Sequence, residues 1–203
     1  MAGSSGTPRV GVLALQGDVR EHLSVLSSLG AEAVPVRTPV DLASVDGLVL
    51  PGGESTVIDK LATTFGLRDP IRSAIADGLP VFGTCAGLIL LADRIVDGGP
   101  GQRTFGGLDV TVRRNAFGSQ LDSFETDLDV TVLGSGLVHA VFIRAPLVEE
   151  VGAAATPLAR LADGTVVGVE QGNLLGLSFH PEMTGESRFH RRFLERVSAR
   201  AST

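Results

Sequence analysis

Cys85 is the only cysteine of the chain, and it stands between two glycines in the run Val81-Phe82-Gly83-Thr84-Cys85-Ala86-Gly87. The spacing G-x-C-x-G is the cysteine form of the nucleophile elbow, a tight strand-to-helix turn that presents one reactive side chain above a sheet. Leu79 to Phe82 reads as the buried strand before such a turn, and Leu88-Ile89-Leu90-Leu91 as the apolar face of a helix after it. A sulfur at a helix N-terminus is favoured as thiolate by the dipole and the free N–H groups. A lone cysteine is also an ordinary small core residue. The spacing alone leaves both readings open.

A thiolate nucleophile needs a base to exchange protons with, and that base needs a third group to fix its tautomer. Four histidines are available. His22 falls in a first helix and His190 among arginines in a last one, and both are expected at the surface. His139 begins a strand with no acidic neighbour in sequence and is expected to be structural or exposed. His180 differs: it ends a strongly apolar strand, and Glu182, two residues on, shares its side of an extended chain. This pair could form half of a metal site, but no further His/Cys cluster accompanies it. As base and orienting carboxylate it completes a set Cys85, His180, Glu182. Acyl transfer also needs donors for an oxyanion. The N–H of Ala86, next after the nucleophile, and those of the Gly52-Gly53 turn, Gly53 above all, are the candidates; a plain tight turn is the other reading of that glycine pair.

The elements that must position these residues alternate between strand and helix. Arg9 to Leu15, Ala33 to Val36 and Asp46 to Pro51 are continuous apolar runs of the kind buried on both faces of a parallel sheet. A helix is expected from Asp18, as N-cap, to Leu29, with Gly30 ending it. Another is expected from Ala86 to Ile95. The turns Gln16-Gly17-Asp18, Gly52 to Thr56 and Gly83-Thr84-Cys85 should then share the carboxyl edge of one sheet, where functional residues of such folds collect. Leu108 to Arg113 and Val138 to Ile143 read as further strands. Asp163-Gly164 and Gly172-Asn173 are hairpin signals joining Leu158–Ala162, Thr165–Glu170 and Leu174–Phe179 into an antiparallel meander. A last amphipathic helix, Ser187 to Ser198, turns Phe189, Phe193, Leu194 and Val197 inward. The expected fold is a three-layer α/β domain over residues 9–198: a mostly parallel central sheet flanked by helices, with an added antiparallel meander. Residues 1–8 read as a disordered leader and 199–203 as a tail.

Composition narrows the functions further. With 43% hydrophobic residues over 203 positions the chain can bury a full core, and a net charge of −6 with no basic stripe argues against nucleic acid and anionic membranes. No apolar run is long enough to span a bilayer. Absence of Trp and Tyr removes the usual stacking platforms for single strands. One cysteine excludes a disulfide framework. The glycines of Asp97 to Gln102 lack the Lys-Ser/Thr of a phosphate loop. A cytoplasmic protein is expected.

The motifs Gly83-Thr-Cys85-Ala-Gly87 and His180-Pro-Glu182 resemble those of the class I (triad) glutamine amidotransferases. Gly11 to Asp18, Leu50-Pro-Gly-Gly-Glu-Ser-Thr56, Arg114-Asn-Ala-Phe-Gly118, Phe142-Ile-Arg-Ala-Pro146 and Ser178 to Glu182 resemble more closely the glutaminase subunits of pyridoxal 5′-phosphate synthase. The likeness covers Val10 to Phe193. It implies that Cys85 is the nucleophile with His180 and Glu182 as its relay. It implies that Gly53, Glu54, Ser55, Arg114, Ile143 and Arg144 hold L-glutamine. An Arg fork suits an α-carboxylate, and a carboxylate or carbonyl suits an α-ammonium. It further implies ammonia transfer to a synthase subunit, with pyridoxal 5′-phosphate as product of the complex and no cofactor in this chain. Ser119, Val138-His139 and the 97–103 loop depart from the family pattern, which bears on partner contacts. A different hydrolase on the same elbow and a catalytically silent subunit remain as rival readings.

Overall fold

The computed structural model describes residues 6–114 and 123–201. In chain order it runs β1 (Arg9–Leu13), α1 (Val19–Ser28), β2 (Glu32–Val36), α2 (Pro39–Ala43), β3 (Gly47–Leu50), α3 (Ser55–Thr64), α4 (Arg68–Ala76), β4 (Val81–Thr84), α5 (Ala86–Leu91), β5 (Ala92–Val96) and β6 (Leu108–Arg113). It continues with β7 (Ser123–Leu128), a 3-10 turn at Thr131–Leu133, β8 (Val138–Ile143), β9 (Leu147–Val151), β10 (Thr156–Arg160), β11 (Val166–Gln171), β12 (Leu174–Leu177), α6 (Pro181–Thr184) and α7 (Arg188–Ala201). The main sheet has the order β2-β1-β3-β4-β12-β11-β9-β6-β5, with β10 paired to β11. The block from β2 to β12 is parallel, and β10-β11-β12 form the expected antiparallel meander. Helices flank a mostly parallel centre, as the patterning predicts.

The apolar strands are buried on both faces because each feeds two cores. Leu48 and Leu50 of β3 face a cluster with Ile58 and Ala62 of α3, Ile71 of α4 and Leu88 of α5. Val49 between them faces the other cluster, with Leu26 of α1 and Phe189, Phe193 and Val197 of α7. That period-2 split is why continuous hydrophobic runs, rather than alternating ones, mark central strands.

Four expectations change. The helix after Cys85 ends at Leu91, and the chain enters β5 at Ala92 instead of continuing to Ile95. Val138–Ile143 is a strand, but it lies in a separate two-stranded ribbon with β7. Asp18 stands at the N-cap of α1 without a side-chain cap bond. The last helix runs through Ala201, into the segment expected to be tail. Among the described residues no helix is long and apolar enough to cross a membrane.

Candidate active site

Parallel pairing of β3, β4 and β12 brings their carboxyl ends together: Leu50 is level with Gly83, and Leu177 with Thr84. The Cys85 N–H donates to the Leu177 carbonyl at 2.8 Å, tying the elbow to the strand that leads to His180. At Cys85 the backbone takes φ 48° and ψ −102°, a region that costs a non-glycine residue on the order of 1–3 kcal/mol. The glycines on either side make that turn possible. A Cβ on Gly83 would lie 2.5 Å from the Gly87 carbonyl carbon, and one on Gly87 would lie 2.0 Å from the Leu50 carbonyl oxygen. Only glycine at both places lets α5 begin hard against the sheet.

His180 Nδ1 is 2.8 Å from Glu182 Oε1 and 3.4 Å from Asp18 Oδ2. Both His180 and Glu182 are buried. The pair does not lie along an extended chain as expected; Pro181 and Glu182 open α6, and the turn folds the carboxylate back under the ring. Burial works against the His180 cation, but hydrogen bonds with Asp18, Cys85 and Glu182 outweigh it and hold its pKa up at about 12. Burial also works to raise Glu182, yet the bond from His180 and the neighbouring His22 hold its carboxyl well below the usual range. With Nδ1 turned to the carboxylates, Nε2 is the ring nitrogen left for Cys85. Asp18, His180 and Glu182 also form a cluster whose ligand-type atoms lie within 4.8 Å of one another. The same spacing is what an oriented, protonated imidazole requires.

The Gly52-Gly53 turn packs directly on this pair. A Cβ on Gly52 would sit 2.4 Å from His180 Cε1, and Gly53 has φ 150°. The Asp18 N–H donates to the Gly52 carbonyl at 3.1 Å, and Gln16 Oε1 accepts the Glu54 N–H at 2.7 Å. The three turns therefore meet at one sheet edge. Ala86 opens α5, where the first N–H groups have no intrahelical partner. Ile143 borders the sulfur, its carbonyl 4.0 Å from Cys85 Sγ, and Arg144 beside it is exposed with φ 44°.

Arg114 is mostly buried and reaches Glu54 Oε1 at 2.7 Å, Gln102 Oε1 at 2.8 Å and Thr56 Oγ1 at 3.0 Å. Gln102 in turn donates to Ser55 Oγ at 2.9 Å and accepts the Gly99 N–H at 3.1 Å. The sequence pattern marks Arg114, Glu54 and Ser55 but not Gln102, which joins them from a glycine-rich loop. Asn115, Phe117, Gly118 and Ser119 lie outside the described residues.

Two histidines were misplaced by sequence reasoning. His22 and His190, expected at the surface, are both fully buried, and they pair with each other behind the site. His139 is exposed as expected but not alone: Asp127 and Glu125, across the β7-β8 ribbon, lie 3.0 and 2.9 Å from its ring nitrogens.

A strained cysteine elbow and a buried His–Glu pair at the carboxyl edge of such a sheet make the arrangement that a glutamine amidotransferase of the triad class requires. Similar proteins narrow this. A model of the SNO glutamine amidotransferase family matches residues 12–199, and the chain belongs to that family. It is 68% identical over 196 residues to pyridoxal 5′-phosphate synthase subunit PdxT of Leifsonia xyli subsp. xyli, covering 97% of this chain and 99% of the relative. The subunit of that name from Clavibacter michiganensis subsp. michiganensis is 65% identical, with 97% of each chain covered. A crystal structure of a glutamine amidotransferase superposes with TM-score 0.86 at 51% identity, covering 93% of this chain and 98% of that one. PurLQS from Thermotoga maritima shares the fold at TM-score 0.71 and 17% identity, with 94% and 99% covered.

Proposed function

We propose that this chain is the glutaminase subunit of a pyridoxal 5′-phosphate synthase, hydrolysing L-glutamine to L-glutamate and ammonia and handing the ammonia to a separate synthase subunit. The observation that carries the reading is Cys85, held in a strained turn with the buried His180–Glu182 pair set against it. The names of the PdxT relatives support the choice of product.

In this reading the Cys85 sulfur attacks the side-chain carboxamide of glutamine. The oxyanion that forms takes N–H groups from Ala86 and Gly53. His180 then protonates the departing nitrogen, leaving a thioester on Cys85, and takes a proton from water as that water attacks. Glutamate leaves and the thiol is restored. Glu182 keeps Nδ1 of His180 protonated throughout. The amino acid end of glutamine is held by Glu54, Ser55, Arg114, Ile143 and Arg144: guanidinium for the carboxylate, Glu54 and the Ile143 carbonyl for the ammonium. Since Arg114 and Glu54 bond each other across 2.7 Å, the ligand's two opposite charges would replace a pair already matched to them.

The test is glutamate formation by the full chain with and without a synthase subunit. Turnover that rises when the subunit is added, and that disappears in Cys85→Ala with unchanged folding, is the expected outcome. Hydrolysis indifferent to both changes would overturn the assignment.

A further inference from the structure

Behind the triad lies a buried polar chain that the mechanism above leaves unused. His22 on α1 and His190 on α7 are both fully buried, with His22 Nδ1 2.9 Å from His190 Nε2. His22 Nε2 is 3.1 Å from Thr84 Oγ1, on the strand that carries the elbow, and 3.5 Å from Glu182 Oε1. Oε1 is the same oxygen that faces His180, while Oε2 of Glu182 is buried with no partner among the described residues. Among the described residues, one oxygen of the carboxylate thus faces His180 on one side and His22 on the other.

One placement of the hydrogens serves the carboxylate. An ionised carboxylate only accepts, so a His22 Nε2 that carries the hydrogen can share it between Thr84 Oγ1 at 3.1 Å and Glu182 Oε1 at 3.5 Å. An imidazole with its hydrogen on Nε2 accepts at Nδ1, which is where His190 stands. Burial above all pushes His190 down to about 3, so its ring is neutral; with its hydrogen on Nε2 it donates to His22 Nδ1 at 2.9 Å. The other charged groups about Glu182 are His180, Asp18 beyond it, and Arg20 and Glu21 of α1, which line an outer pocket together with Glu182.

We propose that His22 is a positioning residue for the hydrolysis: its Nε2–H holds Glu182 ionised and aimed at His180, and His190 fixes the His22 tautomer that does so. The set Cys85–His180–Glu182 continues inward as Glu182–His22–His190. The turnover part of this proposal rests on the glutaminase reading, but its effect on the cysteine does not.

His22→Asn and His22→Gln separate the two ring nitrogens, because the shorter amide stands in for Nδ1 and the longer one for Nε2. Cys85 is the single cysteine, so its alkylation by iodoacetamide can be followed across pH in the full chain. In His22→Asn we expect the profile to move about one pH unit to the alkaline side, since a less firmly ionised Glu182 supports the His180 cation less. With a synthase subunit added, kcat should fall about tenfold at unchanged KM. His22→Gln should recover most of both. Wild-type profiles in both variants, or equal shifts in both, would overturn the proposal, the second outcome assigning His22 to packing alone. Nitrogen-15 NMR of the unaltered chain gives a check that no folding failure can remove. It should show the His22 hydrogen on Nε2 and a coupling across the bond from His190; a bare Nε2 would sink the idea. An alkylation shift in a chain whose wild type never hydrolyses glutamine would support the relay and overturn the glutaminase reading alone.

Discussion

At the scale of single residues, the site turns on one sulfur in an unfavourable backbone conformation and one imidazole among three partners. The φ of 48° at Cys85 is held by the fixed ends of β4 and α5, so the strain is borne by the fold and not by the side chain. His180 owes its high pKa to groups from three separate segments, Asp18, Cys85 and Glu182, acting against burial. Its ring should therefore remain protonated across neutral pH, with carbon and nitrogen NMR shifts that stay flat where a free histidine titrates, near about pH 6.5. The sign for stability follows. Because the folded value lies above the ordinary 6.5, the imidazolium's contribution is fully present below that pH and is lost as pH rises toward about 12. Asp18→Ala should bring the His180 titration down into a measurable range while leaving the Glu182 bond in place. A His180 resonance that titrates near neutrality in the unaltered chain would contradict this account.

At the scale of elements, α5 and β3 meet backbone to backbone at the start of the helix. In Gly87→Ala the new methyl would meet the Leu50 carbonyl oxygen at 2.0 Å, with backbone on both sides and nothing free to yield. The substitution should cost about 3 kcal/mol, the upper range for overpacking, read as a lowered midpoint in chemical denaturation. The docking of α7 is different in kind. Glu170 of β11 accepts from Arg192 and Arg196 at 2.6–3.0 Å, and although burial works to raise its pKa these two guanidiniums pull it lower. Glu170→Gln should cost about 1 kcal/mol at neutral pH. Since the folded value is depressed, that difference is present above the ordinary 4.5 and should fade as pH falls from there through the lower folded value, which denaturation at two pH values can check. These elements also mark where sequence patterns suffice. Central strands were legible because burial on two faces leaves no polar position, and the elbow because its glycines stand between an apolar strand and an apolar helix face. β5 was not, because Leu91-Ala92-Asp93-Arg94 continues a helical pattern whose end is set by pairing with β6, a partner in space. The burial of His22 was invisible for the same reason: its partner His190 lies 168 residues away. Gln102 carries no mark of its role, because a loop glutamine becomes a junction only when α3 and Arg114 are brought beside it.

At the scale of the whole molecule, the two cores and the sheet between them support a single carboxyl edge where the turns after β1, β3, β4 and β12 converge. The reacting groups of the proposed hydrolysis come from that edge, while Arg114 after β6 and Ile143-Arg144 at the end of β8 are brought to it from outside. In the proposed reading the ammonia is consumed on a separate synthase subunit. Ammonia released to water at neutral pH becomes mostly ammonium, which is not nucleophilic, so a loose partnership would waste the product. If the edge docks against the synthase subunit, ammonia should pass between them without mixing with solvent. Glutamine labelled with nitrogen-15 in its side-chain amide, supplied to the complex together with unlabelled ammonium in excess, should yield pyridoxal 5′-phosphate that keeps nearly all of the label. Dilution of the label in proportion to the ammonium added would mean that this chain hydrolyses glutamine into the open and that its partner draws on the bulk pool. The same experiment with Cys85→Ala should give wholly unlabelled product made from ammonium, which separates loss of hydrolysis from loss of assembly.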